Sequence, residues 1–331
     1  MIHQYVERDT GFIRNERLFN DNLIRLVFAP QREHDSMLFK AITSSVMTRF
    51  LAYVSFDALL GSKLSGLDRF MKANGIDMEE CYDDPLSLDT PRKVFERRIR
   101  YWEKRPMPDD PGTITSPADS RMVLGSFDEA DALFIKGKFF DFEELLGVLN
   151  REWINAFEGG DFTVFRLTPD KYHYNHCPVS GEVVDFYAME GRYAPCNPSA
   201  LVRLAEPYSK NYRVVTIIDT DLRGGTGAGL VAMVEVAAMM VGDIVQAYSD
   251  DYYDNPREMK KGMHLLKGQP KSLFRPGSST VVLLFQKGKV AFQDDLLINQ
   301  HRDIQSRYST GLGRPLVETE VMVRSGIAYA V

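Results

Sequence analysis

The stretch Gly277–Phe285, with the sequence GSSTVVLLF, decides how this chain is interpreted. Its five apolar residues follow a glycine and small hydroxyl residues, so the pattern predicts a buried strand that begins at a turn. The Gly277–Ser278 peptide is compatible with ordinary turn chemistry. It is also compatible with self-cleavage, in which the Ser278 hydroxyl attacks the Gly277 carbonyl, an ester forms, and β-elimination releases the upstream chain. Glycine suits the position before such a cut because it has no Cβ to block the nucleophile.

Two further segments supply the groups that this self-cleavage would need. The chain contains six histidines, and His173 and His176 lie together in the proline-bracketed segment Arg166–Pro178, RLTPDKYHYNHCP. Histidine exchanges protons near neutral pH, and a base of this kind is usually oriented by a third group. Asp119, in Ser116–Ser120 (SPADS), offers a carboxylate for that purpose. The sequence therefore predicts a nucleophile, a base and an orienting acid.

These segments, in this order, resemble the motifs of the phosphatidylserine decarboxylase family of pyruvoyl enzymes. The similarity is carried by the SPADS segment, by Leu133–Gly147 (LFIKGKFFDFEELLG), by the two-histidine segment up to Gly181, and by Lys261-Gly262, Phe274 and the GSST run. It covers about residues 60 to 331. The order of four motifs is more specific than any one of them.

The resemblance implies a role for each candidate residue. Asp119 would orient His173, and His173 would take the proton from Ser278, while His176 matches a histidine associated with substrate turnover. Residue 278 would become a covalent pyruvoyl group, form a Schiff base with the substrate amine and act as an electron sink. His173 and His176 with Cys177 are also a conceivable metal site, but further ligands are missing at a usual spacing, so no metal is expected.

The extra serine in the GSST run leaves the position of the cut between two residues. The family motif has a phenylalanine at a fixed distance before the cleavage serine and another at a fixed distance after it. Alignment on Phe274 selects Ser278, whereas alignment on Phe285 selects Ser279. We favour Ser278 because its neighbour is Gly277, and Ser279 is the alternative.

The expected fold class is α+β, with an N-terminal helical region over 1–108 and a catalytic domain over 109–331. Near-helical spacing of apolar residues indicates helices between 35 and about 80. Short apolar runs at Tyr212–Ile218, Leu230–Val236 and Thr280–Phe285 indicate sheet packed on sheet. The resemblance implies an α+β catalytic domain of this kind, with mostly antiparallel sheets and flanking helices. Cleavage would divide the chain into 1–277, the β chain, and 278–331, the α chain.

Composition and two local segments restrict the partners. With 40 basic and 46 acidic side chains the net charge is −6, which argues against nucleic-acid binding. Residues 92–106 predict a basic helical segment, which is either a solvated face or a contact for anionic headgroups. The glycine-rich segment Gly224–Gly229 lacks the signature of a nucleotide-binding loop and is expected to be a turn between two strands. The segment 106–117 is expected to be a linker.

Three cysteines without framework spacing indicate a reducing compartment, and no signal peptide or spanning helix is recognisable. We therefore expect a cytoplasmic protein, in peripheral contact with an anionic membrane at the inner face of the cell membrane.

Three functions remain open at this stage. The leading one is conversion of phosphatidylserine to phosphatidylethanolamine and CO2 by a homodimer of processed α/β pairs. The second is decarboxylation of a soluble amino acid such as tryptophan on the same scaffold. The third is a non-processing paralogue that binds only lipid or a partner protein, and it predicts one uncut chain.

Overall fold

The computed structural model describes most of the chain, with several gaps. The described residues are 2–16, 43–44, 46–47, 50, 56, 67, 71–72, 75–128, 140–196, 198–202, 207–238, 243–277, 279–313 and 315–331. Most of the stretch expected to be helical between 35 and 80 lies outside them, as do residues 133–139 of one family motif and Ser278.

Strands are the dominant regular structure of the described residues. They are β1 (Gln4–Glu7), β2 (Ile13–Asn15), β3 (Thr113–Thr115), β4 (Ser120–Ser126), β5 (Asp161–Leu167), β6 (Tyr174–His176), β7 (Gly181–Met189), β8 (Arg213–Asp219), β9 (Leu230–Ala237), β10 (Ile244–Gln246), β11 (His264–Leu265), β12 (Pro270–Phe274), β13 (Ser279–Phe285), β14 (Val290–Phe292), β15 (Glu318–Val321) and β16 (Gly326–Ala330).

The helices of the described residues are short. They are α1 (Pro91–Phe95), α2 (Tyr101–Lys104), α3 (Phe142–Leu146), α4 (Arg151–Phe157), α5 (Pro198–Leu201), α6 (Pro207–Lys210), α7 (Asp294–Gln300) and α8 (Arg307–Leu312), with 3-10 turns at Met78–Glu80 and Pro85–Ser87. Within these ranges no helix combines the length and the apolarity needed to cross a membrane.

The central strand of the fold is β13, which the apolar run of the GSST segment forms. The main sheet of the described residues has ten strands in the order β11-β7-β8-β9-β13-β5-β4-β15-β1-β2. β13 pairs antiparallel with β5 on one side and with β9 on the other, along its full length. The three predicted apolar strands are confirmed as β8, β9 and β13. The segment Gly224–Gly229 lies between β8 and β9, as expected.

The main sheet has a hydrophobic core on each face, because successive side chains of a strand point to opposite sides. Val281 and Leu283 of β13 belong to the core shared with two three-stranded sheets, β10-β12-β6 and β14-β16-β3. Val282 and Leu284 belong to the core that is closed by helical residues such as Phe157. The expected α+β class with packed, mostly antiparallel sheets is therefore confirmed.

Two local expectations differ from the structure. Residues 92–106 form α1 and α2 with an extended turn between them, because buried Ile99 forms a β-bridge with Cys81 instead of continuing a helix. The segment 106–117 is more than a linker, since its buried residues Thr113–Thr115 form β3 and pair with β16. In both cases pairing with distant residues overrides local propensity.

Candidate active site

Two backbone contacts bracket the Gly277–Ser278 peptide. Ser279, the first residue of β13, pairs with Leu167 at the end of β5. The Phe274 N–H at the end of β12 donates to the His173 carbonyl at 3.1 Å. Since His173 follows Leu167 in the β5–β6 loop, this loop runs beside the segment that contains the candidate cleavage site. Gly277 is buried and has a φ of 149°, a backbone conformation that favours glycine.

The His173 side chain is buried and makes no hydrogen bond. Neither ring nitrogen has a partner within the described part of the chain, and the ring stacks on Phe95 with 3.5 Å between centroids. Burial, with a smaller contribution from the charge of Arg97, lowers the pKa of His173 to about 3. His173 is therefore neutral at physiological pH, with a free nitrogen able to accept a proton.

The His176 side chain is equally buried but fully hydrogen-bonded. Its Nδ1 lies 2.8 Å from the Gly268 carbonyl, which can only accept, so Nδ1 carries the proton and donates. Its Nε2 lies 3.0 Å from the Tyr172 hydroxyl and accepts from it. The Tyr172 hydroxyl in turn lies 2.7 Å from that of Tyr253. Burial lowers the pKa of His176 to about 3 as well.

Asp119 is held as a buried carboxylate by Arg105. The Arg105 Nε and Nη2 donate to the two carboxylate oxygens at 3.0 and 2.7 Å, and the Val323 N–H donates to Oδ1 at 2.8 Å. Burial alone would raise the pKa of Asp119, but the charge and hydrogen bonds of Arg105 hold it below its ordinary value. Arg105 also binds Glu80 at 2.8 Å.

The structure thus places Asp119, His173 and His176 in one buried region without joining all of them. The His176 N–H donates to the Pro117 carbonyl at 2.8 Å, two residues before Asp119. In the described residues, however, the Asp119 carboxylate makes no hydrogen bond to His173 or His176. Ser279 is buried, and its hydroxyl has no hydrogen-bond partner there either.

Sequence reasoning missed the contribution of α1 and α2. Phe95 stacks on His173, the Tyr101 ring meets that of His176 edge-on at 4.7 Å, and Arg105 binds Asp119. One short segment therefore contacts each of the described catalytic candidates. Its many basic residues had indicated a surface, whereas the buried Phe95 and Tyr101 were the available signal for a packed one.

A Lys-Gly pair other than Lys261-Gly262 also lies at the site. The carbonyl of Gly268, in Lys267-Gly268, accepts from His176 Nδ1.

A second polar cluster, also missed, lies behind β13 between the main sheet and the β10-β12-β6 sheet. Glu235 of β9, opposite Val281, pairs with Lys271 of β12 at 2.7 Å, and both side chains are fully buried. Lys271 also donates to Gln246 at 2.9 Å, and Asn175 donates to Glu235 at 3.2 Å. This cluster joins two sheets beside the candidate cleavage site.

Two buried neutral histidines and a buried carboxylate lie around the start of a central strand, an arrangement that makes this region the candidate active site. The chain belongs to the phosphatidylserine decarboxylase family, a family of carboxy-lyases, because the model described as "Phosphatidylserine decarboxylase" matches residues 92–311. The family expected from the sequence is confirmed.

Several curated relatives cover most of this chain. It is 28% identical to the phosphatidylserine decarboxylase proenzyme of Fusobacterium nucleatum, over 93% of this chain and 95% of that protein. It is 32% identical to the proenzyme of Bordetella petrii, over 69% and 80%. The identity to phosphatidylserine decarboxylase proenzyme 2 of Komagataella phaffii is 29% over 92% of this chain, which spans 29% of that longer protein.

Proposed function

We propose that this chain is a proenzyme that cuts itself before Ser278 and then decarboxylates phosphatidylserine to phosphatidylethanolamine. The observation that carries the proposal is the placement of His173. Its loop contacts Phe274 and begins beside Ser279, the described residues around the candidate cut, and its buried ring nitrogens have no partner among the described residues. The proenzyme names of the relatives support the same conclusion. The names of these relatives give no support to a soluble amino acid as substrate or to an uncut paralogue.

In the proposed cleavage His173 acts as the base. It takes the hydroxyl proton of Ser278, whose oxygen attacks the Gly277 carbonyl. The amide nitrogen receives the proton from His173 and leaves as the free amine of residue 278, so that the peptide becomes an ester. Loss of the α-proton of residue 278 then expels the Gly277 carboxylate and leaves dehydroalanine, and water converts this to a pyruvoyl group with loss of ammonia. Asp119 adds negative charge nearby, which favours the protonated form of the base.

The surroundings fit such a group. Gly277 and Ser279 are buried, so an electrophilic carbonyl between them would be sheltered from water. When formed, the pyruvoyl group supplies an electron sink for loss of CO2. His176 and Tyr172 hold a proton between Nε2 and the phenol oxygen, next to this region, and we assign them the return of a proton to the substrate carbon.

The test is the intact mass of the purified protein under denaturing conditions, before and after borohydride treatment with a test amine. We expect a small chain of residues 278–331 whose blocked N-terminus gains the reduced amine. A small chain that is one residue shorter would move the cut to Ser279. One unmodified chain would overturn the proposal, and Ser278→Ala is the uncut control.

The substrate is tested by release of CO2 from lipid vesicles against free amino acids. We expect release from phosphatidylserine and none from serine or tryptophan. Because this substrate lies in a bilayer, we also propose peripheral contact with anionic membrane at the inner face of the cell membrane. A homodimer of processed pairs is a separate proposal. Co-sedimentation with vesicles and analytical ultracentrifugation test these two points.

A further inference from the structure

Arg324 carries a charge that no acidic group of the described residues neutralises. Its guanidinium is partly buried, and its Nη1 donates to the Tyr101 carbonyl at 2.9 Å. The guanidinium lies 5.0 Å from the centre of the Tyr101 ring. Its Nε is buried and has no hydrogen-bond partner. A buried donor without a partner is costly, so it requires an explanation.

A buried Nε without a hydrogen-bond partner also occurs at Arg97 and Arg121, but both of these arginines lie beside a carboxylate. Arg105 and Arg166 each contact carboxylates at 2.8 Å or less. Arg213, which has no carboxylate, donates instead to the carbonyls of Glu144 and Leu145 at the end of α3 and to that of Asn211. Among the described residues Arg324 contacts no carboxylate and donates to only one carbonyl, that of Tyr101. Its charge is therefore not compensated by any carboxylate of the described residues, and an anionic ligand would compensate it.

Arg324 also lies between two parts of the active site. The preceding residue, Val323, donates its N–H to Asp119. A Cβ placed on Gly268 would lie 3.1 Å from the Arg324 Nε, and the Gly268 carbonyl is the group that binds His176. Gly268 thus packs against Met107 and the Arg324 guanidinium, and its carbonyl binds His176.

The backbone at Arg324 is unusual as well. Its φ is 70°, a left-handed conformation that non-glycine residues rarely adopt. Such conformations are retained most often where function requires them.

We infer that Arg324 binds the phosphodiester of the aminophospholipid headgroup, which makes it a specificity residue for lipid over free amino acids. The inference rests on the proposed function. A guanidinium matches phosphate oxygens in geometry and charge. The substrate carboxylate is the less suitable anion, because an arginine bound to it would stabilise the ground state more than the transition state in which CO2 departs.

The test compares two soluble headgroups, because glycerophosphoserine and glycerophosphoethanolamine share the phosphodiester and differ in the carboxylate. Binding is measured by calorimetry on uncut Ser278→Ala protein. We expect Arg324→Gln in that background to lower the affinity for both ligands by about tenfold or more. Arg257→Gln, which removes an exposed arginine paired with Asp250, is the matched control and should change neither.

Three outcomes of this comparison would overturn the inference. The first is an unchanged affinity of Arg324→Gln for both headgroups. The second is a loss of affinity for glycerophosphoserine alone, which indicates a contact with the carboxylate. The third is an equal loss of affinity in the Arg257→Gln control. Inorganic phosphate is the remaining probe: weak competition supports a headgroup site, whereas tighter binding than glycerophosphoserine makes it a phosphate site and overturns it. Arg324→Lys is the control for misfolding. It should have the same thermal midpoint as the parent Ser278→Ala protein and should recover part of the affinity that Arg324→Gln loses.

Failure of this inference is separable from failure of the proposed function. Processed Arg324→Gln should still cut itself and release CO2 at saturating lipid, with a raised KM for phosphatidylserine. If it cuts and its KM is unchanged, only the role of Arg324 is lost.

Discussion

At the scale of single residues, His173 and His176 differ in what their ring nitrogens contact. His173 has no partner in the described residues and is free to accept a proton, whereas His176 is tied to Gly268 and Tyr172. We therefore expect His173→Ala to block or slow self-cleavage by at least a hundredfold, since general-base catalysis contributes about 10²–10⁴-fold. His176→Ala should still cut but release little CO2.

Both variants are checked by a time course of intact mass and by CO2 release after maturation. The reverse pattern, with an uncut His176→Ala and a cut but inactive His173→Ala, would exchange the two roles.

The same histidines make stability depend on pH in a defined window. Their pKa is about 3 in the fold against 6.5 as the ordinary value. Between about pH 6.5 and pH 3 these histidines bind protons in the unfolded chain but not in the folded chain. The free energy of unfolding therefore decreases as the pH is lowered through this window. Each histidine contributes about 1.4 kcal/mol per pH unit well inside this window. Above pH 7 both histidines are neutral in both states, so neither makes stability depend on pH.

We expect His173→Gln, in uncut Ser278→Ala protein, to reduce the slope of unfolding free energy against pH by that amount between pH 6 and 4. Denaturant unfolding measures it, and exposed His264→Gln is the control. An unchanged slope in His173→Gln would mean that the ring is not neutral and buried in solution.

At the scale of elements, the ion pair between β9 and β12 is the strongest case for a defined energetic contribution. Lys271 and Glu235 are both fully buried, so removing one partner leaves an uncompensated charge in the core. We expect Lys271→Met to destabilise the uncut protein by about 3–5 kcal/mol. The double variant Lys271→Met/Glu235→Gln should recover much of this loss, because no charge is left unpaired.

Urea unfolding of both variants provides the measurement. Lys287→Met, which breaks the exposed pair with Asp128, should leave the midpoint unchanged. Equal losses in the single and double variants would show that the pair does not carry a buried charge penalty.

The elements also show how far the sequence alone could be interpreted. β8, β9 and β13 are uniform apolar runs, and the period of a strand is short enough to be recognised locally. The contacts of Phe95 and Arg105 with His173 and Asp119 join residues far apart in the chain, and no local pattern predicts them. For the same reason one helix was expected where α1 and α2 are separated by a buried bridge.

The Glu235–Lys271 pair was hidden differently. Glu235 lies inside an apolar strand, and nothing in its neighbours shows that a lysine from another sheet meets it. Arg324 posed the same difficulty, because its lack of a carboxylate partner among the described residues is a property of the folded chain.

At the scale of the whole molecule, the two products of the proposed cut would be interleaved rather than adjacent. Residues 278–331 supply β13, which pairs with β5 and β9, and β15, which pairs with β4 and β1. They also supply Glu318, whose carboxylate is buried against Arg166 at 2.6 Å, with His3 at 2.9 Å. Separation would therefore expose sheet edges and unpaired charges at the same time.

We accordingly expect the mature protein to stay one assembly after the peptide bond is cut. Gel filtration of diluted protein should give one peak that contains both chains, although denaturing mass spectrometry resolves two. The chains should separate only at denaturant concentrations that unfold the sheet, because β13 lies between two strands of the large chain along its whole length. Release of the small chain on dilution in native buffer would contradict this and would mean that β13 is not held between β5 and β9 after the cut.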